Sequence, residues 1–464
     1  MKNKYADLIE QTFNFPTEEF EINTDGELMY REIPMMNLIE KYGTPLRFSY
    51  LPKISDNIQR AKGWFKDAFH KHNYKGDYKY CYCTKSSHYK YVIKECLKND
   101  VHIETSSAFD LDIIKNLYQN NEININQYII CNGFKTASYI EKIIELINLG
   151  FENLHVIIDN TKEFELLKST TTKKIKVGIR IASEEEPKFE FYTSRLGIGY
   201  KDIVPFYENQ IKNEPNIELK MLHFFINTGI RDTAYYWNEL RKCLNVYVQL
   251  KKSSTHLNSL NIGGGFPIKK NLNFDYDYAY MVDEIVGQIK QECSTKNIEE
   301  PHLFTEFGSY TVGESGGVIY EIIHQKKQND REKWNMINGS FMTSLPDAWA
   351  INERFILLPI NKWNSSYERV LLGGLTCDSD DYYNSEQHVN AIYLPEFEKK
   401  DPLYIGFFNT GAYQDSLSGE GGIKHCLIPS PQKILIFKND KGELIDELFT
   451  EEQTAESMMK ILGY

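Results

Sequence analysis

The strongest constraint on the fold of this chain is a repeating pattern of apolar residues between about residues 46 and 312. Short runs of β-branched or aromatic residues alternate there with longer segments in which Ile or Leu recurs three or four positions apart, as in residues 137–149. This alternation predicts parallel strands joined by crossover helices. Since no Gly-rich phosphate turn follows the first strand, a closed (β/α)8 barrel of the α/β class fits better than an open doubly wound sheet. The predicted strands are residues 47–51, 78–84, 102–105, 128–132, 155–159, 176–181, 219–226, 260–263 and 303–306.

The sequence pattern changes on both sides of the predicted barrel, residues 46–312. Residues 313–464 carry short strand-like runs with turn residues between them, which predict a mainly β second domain. A closing helix is predicted at residues 454–462. Residues 1–45 lack the alternation of strand-like and helical segments, and residues 19–33 could add a strand to the sheet of the second domain. The chain therefore divides into an N-terminal segment, a barrel and a C-terminal β domain.

Composition excludes several classes of protein. No run of 18 uncharged apolar residues occurs, and the mean hydropathy of −0.47 argues against a membrane protein. The net charge of −12 disfavours nucleic acid and anionic membranes as partners, and it suits a small cationic substrate. The eight cysteines show neither the CxxC pairing of a zinc site nor the density of a disulfide scaffold. We therefore expect reduced thiols, no metal and a cytoplasmic location.

Two features point to chemistry in the barrel. Lys85 ends the apolar and aromatic run 78–85, where a lysine can be desolvated and form a Schiff base, although a strand-end lysine is more often a solvated surface residue. Gly263, Gly264 and Gly265 directly follow a predicted strand. Three glycines let backbone amides approach an anion such as phosphate, and the alternative is a tight turn.

Two acidic features complete the set. Glu306 ends the last predicted barrel strand, where it could form a structural salt bridge or hold a protonated ring nitrogen. Cys377 is followed by Asp378, Asp380 and Asp381, an environment that favours a cation. This loop lacks the spaced ligands of a calcium-binding EF-hand, and a solvated acidic loop is the remaining alternative.

In this order the motifs resemble the barrel-type (fold type III) pyridoxal-phosphate (PLP) decarboxylases of basic amino acids, most closely arginine decarboxylase. The resemblance implies that residues 46–312 bind PLP and that Lys85 carries it. Glu306 matches the acid that pairs with the pyridine nitrogen. The other residues that the resemblance assigns to cofactor binding are Glu104, Arg180, Thr228, Gly263, Gly264, Gly265 and Tyr413.

The chain departs from the family pattern at two places. Ser309 stands where the family has an arginine that contacts the phosphate. Phe225 stands in place of the ring-stacking histidine, and His223, two residues earlier on the same strand face, could contribute instead.

The resemblance also assigns the acidic loop to the reaction. Cys377 would return a proton to the α-carbon, and Asp378, with Asp380 and Asp381, would bind the distal cation of the substrate. In the family this loop comes from the neighbouring subunit, so a homodimer with shared active sites is implied.

The aspartate after the cysteine favours a substrate without a second distal carboxylate, and the acidic loop looks most like that of arginine decarboxylases. The predicted reaction is conversion of L-arginine to agmatine and CO2, a step of polyamine biosynthesis. Ornithine, diaminopimelate and carboxynorspermidine remain open as substrates. A catalytically weak regulatory homologue is the alternative from another class, and a barrel-type PLP racemase is a third.

Overall fold

The computed structural model of the chain describes residues 4–12, 15–187, 190–383 and 392–464. It divides into two compact units. The β unit comprises Met1–Lys53, Ile268–Asp275 and Val312–Tyr464, and the barrel unit comprises Ile54–Pro267 and Tyr276–Thr311. In the part of the chain that is described, no helix combines the length and the apolar character needed to cross a bilayer.

The N-terminal segment forms a small sheet of its own. Strands β1 (Phe20–Ile22), β2 (Leu28–Tyr30) and β3 (Ile33–Pro34) pair antiparallel in that order, so the prediction that residues 19–33 extend the sheet of the second domain is wrong. Their inward side chains pack in an apolar cluster of the β unit that includes Phe20, Leu28 and Tyr30. The elements up to residue 50 are α1 (Tyr5–Thr12), β1 (Phe20–Ile22), β2 (Leu28–Tyr30), β3 (Ile33–Pro34), α2 (Met35–Tyr42) and β4 (Leu46–Tyr50).

Eight parallel strands close into a barrel, which confirms the predicted fold class. The strands are β5 (Tyr78–Cys83), β6 (His102–Thr105), β7 (Ile129–Cys131), β8 (Leu154–Ile158), β9 (Ile175–Arg180), β10 (Ile217–His223), β11 (Ser259–Asn261) and β12 (His302–Phe307). The helices around them are α3 (Pro52–Lys71), α4 (Lys90–Leu97), α5 (Ala108–Gln119), α6 (Ala137–Leu149), α7 (Thr161–Thr170), α8 (Tyr200–Phe206), α9 (Ala234–Ser253), α10 (Tyr278–Lys296) and the short α11 (Ser309–Val312).

Local sequence explains these elements. Every residue of β8 is buried, as expected for a strand covered on both faces. Helix α6 begins after Thr136, whose hydroxyl accepts the N–H of Tyr139, and it ends at Gly150 in the left-handed conformation. The barrel interior is filled by side chains from different strands, Ile157 and Met221 among them. The barrel is thus a packed core, and its chemistry must lie at the strand ends.

The C-terminal part of the chain builds a ten-stranded sheet with β4. Strand β13 (Gly316–Lys327) lies at its centre and pairs antiparallel with β4, with β14 (Lys333–Ile337) and with β19 (Leu403–Phe408). The strands are β13 (Gly316–Lys327), β14 (Lys333–Ile337), β15 (Ile356–Pro359), β16 (Tyr367–Gly373), β17 (Tyr382–Tyr383), β18 (Ile392–Pro395), β19 (Leu403–Phe408), β20 (Gln432–Lys438) and β21 (Leu444–Thr450). The helices are α12 (Phe341–Ser344), α13 (Pro346–Ile351), α14 (Gln414–Leu417) and α15 (Ala455–Leu462).

Strand β4 corrects the predicted barrel. Residues 47–51 were expected to form the first barrel strand, yet β4 pairs antiparallel with β13 and parallel with β20. Leu46, Phe48 and Tyr50 pack in the apolar cluster of the β unit, while Arg47 between them forms an ion pair with Asp415. This alternation of apolar and polar residues is typical of a mixed or antiparallel sheet rather than of a barrel strand buried on both faces.

Candidate functional site

Lys85 lies at the C-terminal end of barrel strand β5. A short 3-10 turn, Thr84–Ser86, follows the strand, and its outer residues Thr84 and Ser86 are buried whereas Lys85 is exposed. Thr84 Oγ1 donates a hydrogen bond to the backbone oxygen of Glu104 (3.1 Å), and Ser86 Oγ donates to the backbone oxygen of Cys83 (2.8 Å). These bonds fix the turn, so the lysine amine is presented on the barrel face where active sites gather.

Glu306, on strand β12, lies at the same end of the barrel as Lys85. We call this end, formed by the C-terminal ends of the barrel strands, the barrel mouth. Only 6% of Glu306 is exposed. Its Oε1 accepts two amide hydrogen bonds, one from Asn132 Nδ2 (2.8 Å) and one from Asn261 Nδ2 (2.6 Å). Asn261 is itself held by the N–H of Gly263, which donates to its Oδ1 (2.9 Å). A carboxylate with this many aligned donors is fixed in place although it is buried.

The electrostatic state of Glu306 follows from its neighbours. Burial by itself raises the pKa of this carboxyl, but His223, Lys85 and the Asn132 amide outweigh burial and lower the pKa to about 2. His223 Nε2 lies 3.3 Å from Glu306 Oε2, and the histidine is 1% exposed. Burial lowers the pKa of His223, and the nearby Glu306 opposes that shift. Among the described residues neither ring nitrogen of His223 makes a hydrogen bond, so the imidazole lies beside the carboxylate without one.

Glu104, at the end of strand β6, is the second buried carboxyl of the mouth. Its Oε1 accepts a hydrogen bond from Asn132 Nδ2 (3.0 Å), so one amide bridges both acids. Burial raises the pKa of Glu104 to about 6, against the opposing effect of Lys85. Glu104 Oε2 and Asn132 Oδ1 are buried and find no hydrogen-bond partner among the residues that the structure describes. Orphaned polar atoms of this kind mark a place for a polar ligand.

The glycine segment forms a turn beside these acids. Gly263 and Gly265 have positive φ values of 68° and 104°, which L side chains rarely adopt. A Cβ on Gly264 would lie 2.0 Å from the backbone oxygen of Glu306, and one on Gly229 would lie 2.4 Å from that of Gly265. Only glycine therefore allows these loops to approach each other.

Phe225 and His223 lie in different surroundings. The ring of Phe225 is half-buried and packs against Gly263, where a Cβ would meet it at 3.2 Å. The guanidinium carbon of Arg180 lies 5.8 Å from the centre of the same ring. His223 instead faces Glu306. The aromatic ring at the glycine turn is thus that of Phe225.

Thr228 already has an anionic partner. Its backbone N–H donates to Glu186 Oε1 (2.6 Å), and the Asn227 amide donates to the other oxygen of Glu186 (3.2 Å). Glu186 is 5% exposed. The carboxylate of Glu186 therefore accepts the backbone N–H of Thr228, a residue that the family resemblance assigns to cofactor binding.

The remaining predicted residues belong to the β unit. Cys377 and Asp380 are exposed and Asp378 is partly exposed, so their side chains are accessible on this unit. Tyr413 precedes helix α14 with a positive φ of 66°, an unusual conformation for a tyrosine.

Asp381 differs from the other acids of its loop. It is 4% exposed, its Oδ1 accepts the N–H groups of Phe341 (2.9 Å) and Met342 (3.2 Å), and its Oδ2 accepts the hydroxyl of Thr376 (2.8 Å). The prediction that Asp381 binds substrate is not supported, because both oxygens are already engaged. Asp381 anchors the loop that carries Cys377.

Sequence reasoning missed Asn132, Asn261 and Glu186. The two asparagines lie at or directly after the ends of β7 and β11, so a polar residue that ends an apolar strand was the available signal. Glu186 follows two other glutamates in a loop, and nothing in the sequence distinguishes it from them.

The family model described as "Pyridoxal-dependent decarboxylase, pyridoxal binding domain" matches residues 56–313, more than half of the chain. This chain belongs to that family. As a pyridoxal-dependent decarboxylase it is an enzyme that uses PLP, and the barrel is the part of the chain that the family model covers.

Curated relatives and solved structures agree with this assignment. Biosynthetic arginine decarboxylase 2 of Synechocystis sp. is 21% identical, with 93% of this chain and 84% of that protein covered. Biosynthetic arginine decarboxylase of Phocaeicola vulgatus is 22% identical, with 95% and 89% covered. Among solved structures, the biosynthetic arginine decarboxylase SpeA of Campylobacter jejuni has a TM-score of 0.80 at 19% identity, with 99% of this chain and 90% of that chain covered. Diaminopimelate decarboxylase of M. jannaschii has a TM-score of 0.78 at 20% identity, with 96% and 97% covered. At these identities the structural matches show the fold.

The residues of the barrel mouth fit PLP. A buried, ionised carboxylate such as Glu306 suits a protonated pyridine nitrogen, and the glycine turn suits a phosphate. The exposed amine of Lys85 suits the aldehyde. Two features of the family pattern are missing, the cation expected at Ser309 and the ring-stacking histidine, in whose place Phe225 stands.

Proposed function

We propose that this enzyme decarboxylates L-arginine to agmatine and CO2, as a step of polyamine biosynthesis. The observation that carries the choice of arginine is the pair Cys377–Asp378, an accessible thiol beside an accessible carboxylate on a loop anchored by Asp381. A carboxylate can bind a guanidinium through two parallel hydrogen bonds. The arginine decarboxylases among the relatives support the same choice.

Each residue of the barrel mouth has its own role in holding PLP. Lys85 holds the cofactor covalently, Glu306 keeps the ring nitrogen protonated, and Asn132 and Asn261 keep Glu306 in position. We assign Phe225 to the ring face, and His223 to the support of Glu306. Arg180, Glu104, Thr228 and the turn Gly263–Gly265, together with Tyr413, complete the proposed cofactor contacts. When bound, PLP supplies the electron sink for the pair of electrons released with CO2.

Cys377 supplies the proton that replaces CO2 at the α-carbon. The neighbouring Cys426 sulfur and, to a smaller extent, Asp378 raise the pKa of Cys377, so the thiol stays protonated near neutral pH. A protonated thiol is the form that a general acid needs. Asp378 holds the distal end of the substrate, and we assign Asp380 to the same acidic surface.

We further propose a homodimer in the cytoplasm, in which the Cys377 loop of one subunit completes the barrel mouth of the other. The eight cysteines are spaced without the density of a disulfide scaffold, which supports a reducing compartment. The solution mass tests the dimer, and a monomeric active enzyme would contradict shared sites.

Replacing Asp378 with asparagine should raise the KM for arginine by about 100-fold, because the guanidinium loses a charge-assisted hydrogen bond. The assay is CO2 release from arginine, ornithine, lysine, diaminopimelate and carboxynorspermidine. Asp380→Asn is the matched control, since it removes the same charge two residues away and should change KM only a few-fold. Equal or better turnover of another substrate by the unmodified enzyme would overturn the choice of arginine, and no CO2 from any substrate would favour a regulatory homologue.

Replacing Glu186 with glutamine should tighten PLP binding by about tenfold, because a carboxylate on the Thr228 N–H repels the incoming phosphate. Titration of the apoenzyme with PLP, followed by absorbance, measures the effect. Glu185→Gln is the control: it removes the same charge from an exposed neighbour. Weaker binding in Glu186→Gln would show instead that Glu186 organises the phosphate loop.

A further inference from the structure

The two exposed cysteines of the chain are neighbours in space. Cys377 and Cys426 are 49 positions apart, yet their Sγ atoms lie 3.4 Å from each other, and the other six cysteines are buried. A disulfide requires a separation of about 2.05 Å, so a small movement of either side chain would join them. Among the described residues, no other pair of thiols combines this proximity with access to solvent.

The loop that carries Cys426 is held in an unusual conformation. Cys426 and Leu427 both have positive φ values, 54° and 52°, in a short 3-10 turn where neither residue is glycine. Lys424 fixes one side of this turn, because its amine donates to Ser430 Oγ and its backbone oxygen accepts the N–H of Leu427 (3.0 Å). Strained backbone that the surrounding structure maintains often serves a function. Here it presents the Cys426 sulfur to Cys377.

The opposite loop is equally constrained. Asp381 binds the hydroxyl of Thr376, next to Cys377, and the N–H groups of Phe341 and Met342. Both sulfurs therefore project from anchored loops within one compact unit. Two thiols held at this distance have a high effective concentration for each other.

We propose that Cys377 and Cys426 form a reversible intramolecular disulfide that withdraws the Cys377 thiol from catalysis. The step needs a small-molecule disulfide as oxidant. One protein S–S bond forms while the S–S bond of the oxidant breaks, and the two thiol protons pass to the two sulfurs of the reduced oxidant. A dithiol reductant reverses the reaction. The loss of activity rests on the role proposed above for Cys377, whereas formation of the cross-link does not.

His425 offers a competing use of the same sulfurs. One ring nitrogen of His425 and the two sulfurs lie within 4.8 Å of one another, a donor set that zinc would accept. A chelator in every buffer removes this competition. Inhibition by added zinc, without any cross-link under oxidising conditions, would overturn the disulfide proposal.

The test uses the PLP-loaded enzyme in buffers poised with oxidised and reduced dithiothreitol. In the oxidised buffers we expect a loss of two hydrogen atoms by intact mass, a peptide that joins Cys377 to Cys426, and a parallel loss of CO2 release of tenfold or more. Reductant should restore both the mass and the activity. A mass that never changes, or a cross-link between other cysteines, would overturn the proposal.

Cys426→Ser is the decisive variant. It should lose both the cross-link and the sensitivity to oxidant, measured as the ratio of its activity in oxidised buffer to its activity in reduced buffer. Equal inactivation of this variant by oxidant would overturn the proposal. If the reduced wild-type enzyme releases no CO2 at all, the proposed function fails, and the cross-link is still measured by mass, so the two failures are separable. If the variant folds poorly, the peptide map of the oxidised wild-type enzyme still shows whether Cys377 and Cys426 are cross-linked.

Discussion

Replacing Lys85 with alanine should remove the visible absorption of the lysine-bound cofactor and lower kcat by roughly a thousandfold or more. The reason is that Lys85 is the amine in the barrel mouth whose turn is fixed by buried neighbours, Thr84 and Ser86. Without that amine PLP would be held only by non-covalent contacts, such as those with the glycine turn, and the covalent role assigned to Lys85 would be lost.

Lys79 provides the matched control for Lys85. It lies on β5, the strand that precedes the Lys85 turn, with its amine 3.7 Å from Asp77 Oδ2 and 5.6 Å from the ring centre of Tyr128. Lys79→Ala should keep the colour and most of the activity. Borohydride reduction followed by peptide mapping should place the cofactor on Lys85 in the parent enzyme. A reducible adduct that persists in Lys85→Ala would contradict the assignment.

The barrel could be predicted because its strands and helices follow short-range rules. All eight barrel strands overlap predicted ones, and helix α6 has the predicted bounds, residues 137–149. Strand β4 was misplaced because a strand followed by a long helix, α3, imitates a β-α unit. Which strands pair is decided by contacts between residues far apart in sequence, here β4 with β13 and β20, and periodicity alone does not report them.

The residues of the candidate site that belong to a recognisable motif could be predicted from the sequence. Those that are recognised only by their position in the fold could not. Lys85 and Glu306 were found because they end strands in recognisable motifs. Asn132 bridges Glu104 and Glu306, but an asparagine after a strand also reads as an ordinary turn residue.

The acidic loop shows the same limit. Asp378, Asp380 and Asp381 are chemically alike, and only the fold shows that Asp381 turns inward to anchor the loop. The contact between Cys377 and Cys426 depends on an unusual left-handed turn, for which the sequence carries no glycine as a signal.

The second large effect is expected at Glu306. Glu306→Gln should lower kcat by about 100- to 10,000-fold while PLP remains bound and coloured. The amide oxygen of the new side chain can still accept the hydrogen bonds of Asn132 and Asn261, so the packing of the mouth is kept. The other oxygen becomes an NH2 group beside His223 Nε2, and no negative charge remains to hold a proton on the ring nitrogen.

The pH dependence separates this role from a structural one. Because the pKa of Glu306 is lowered to about 2, the carboxylate is ionised throughout any practical assay range, and the loss in Glu306→Gln should be uniform from about pH 6 to about pH 9. Glu163→Gln is the control, a buried barrel glutamate whose Oε1 accepts the N–H of Lys135 (2.8 Å); it should lower thermal stability but change kcat only a few-fold. Steady-state kinetics with saturating PLP, alongside the absorption spectrum, measure both variants. Retained kcat in Glu306→Gln, or a loss of activity that saturating PLP restores, would mean that Glu306 does not control protonation of the ring nitrogen.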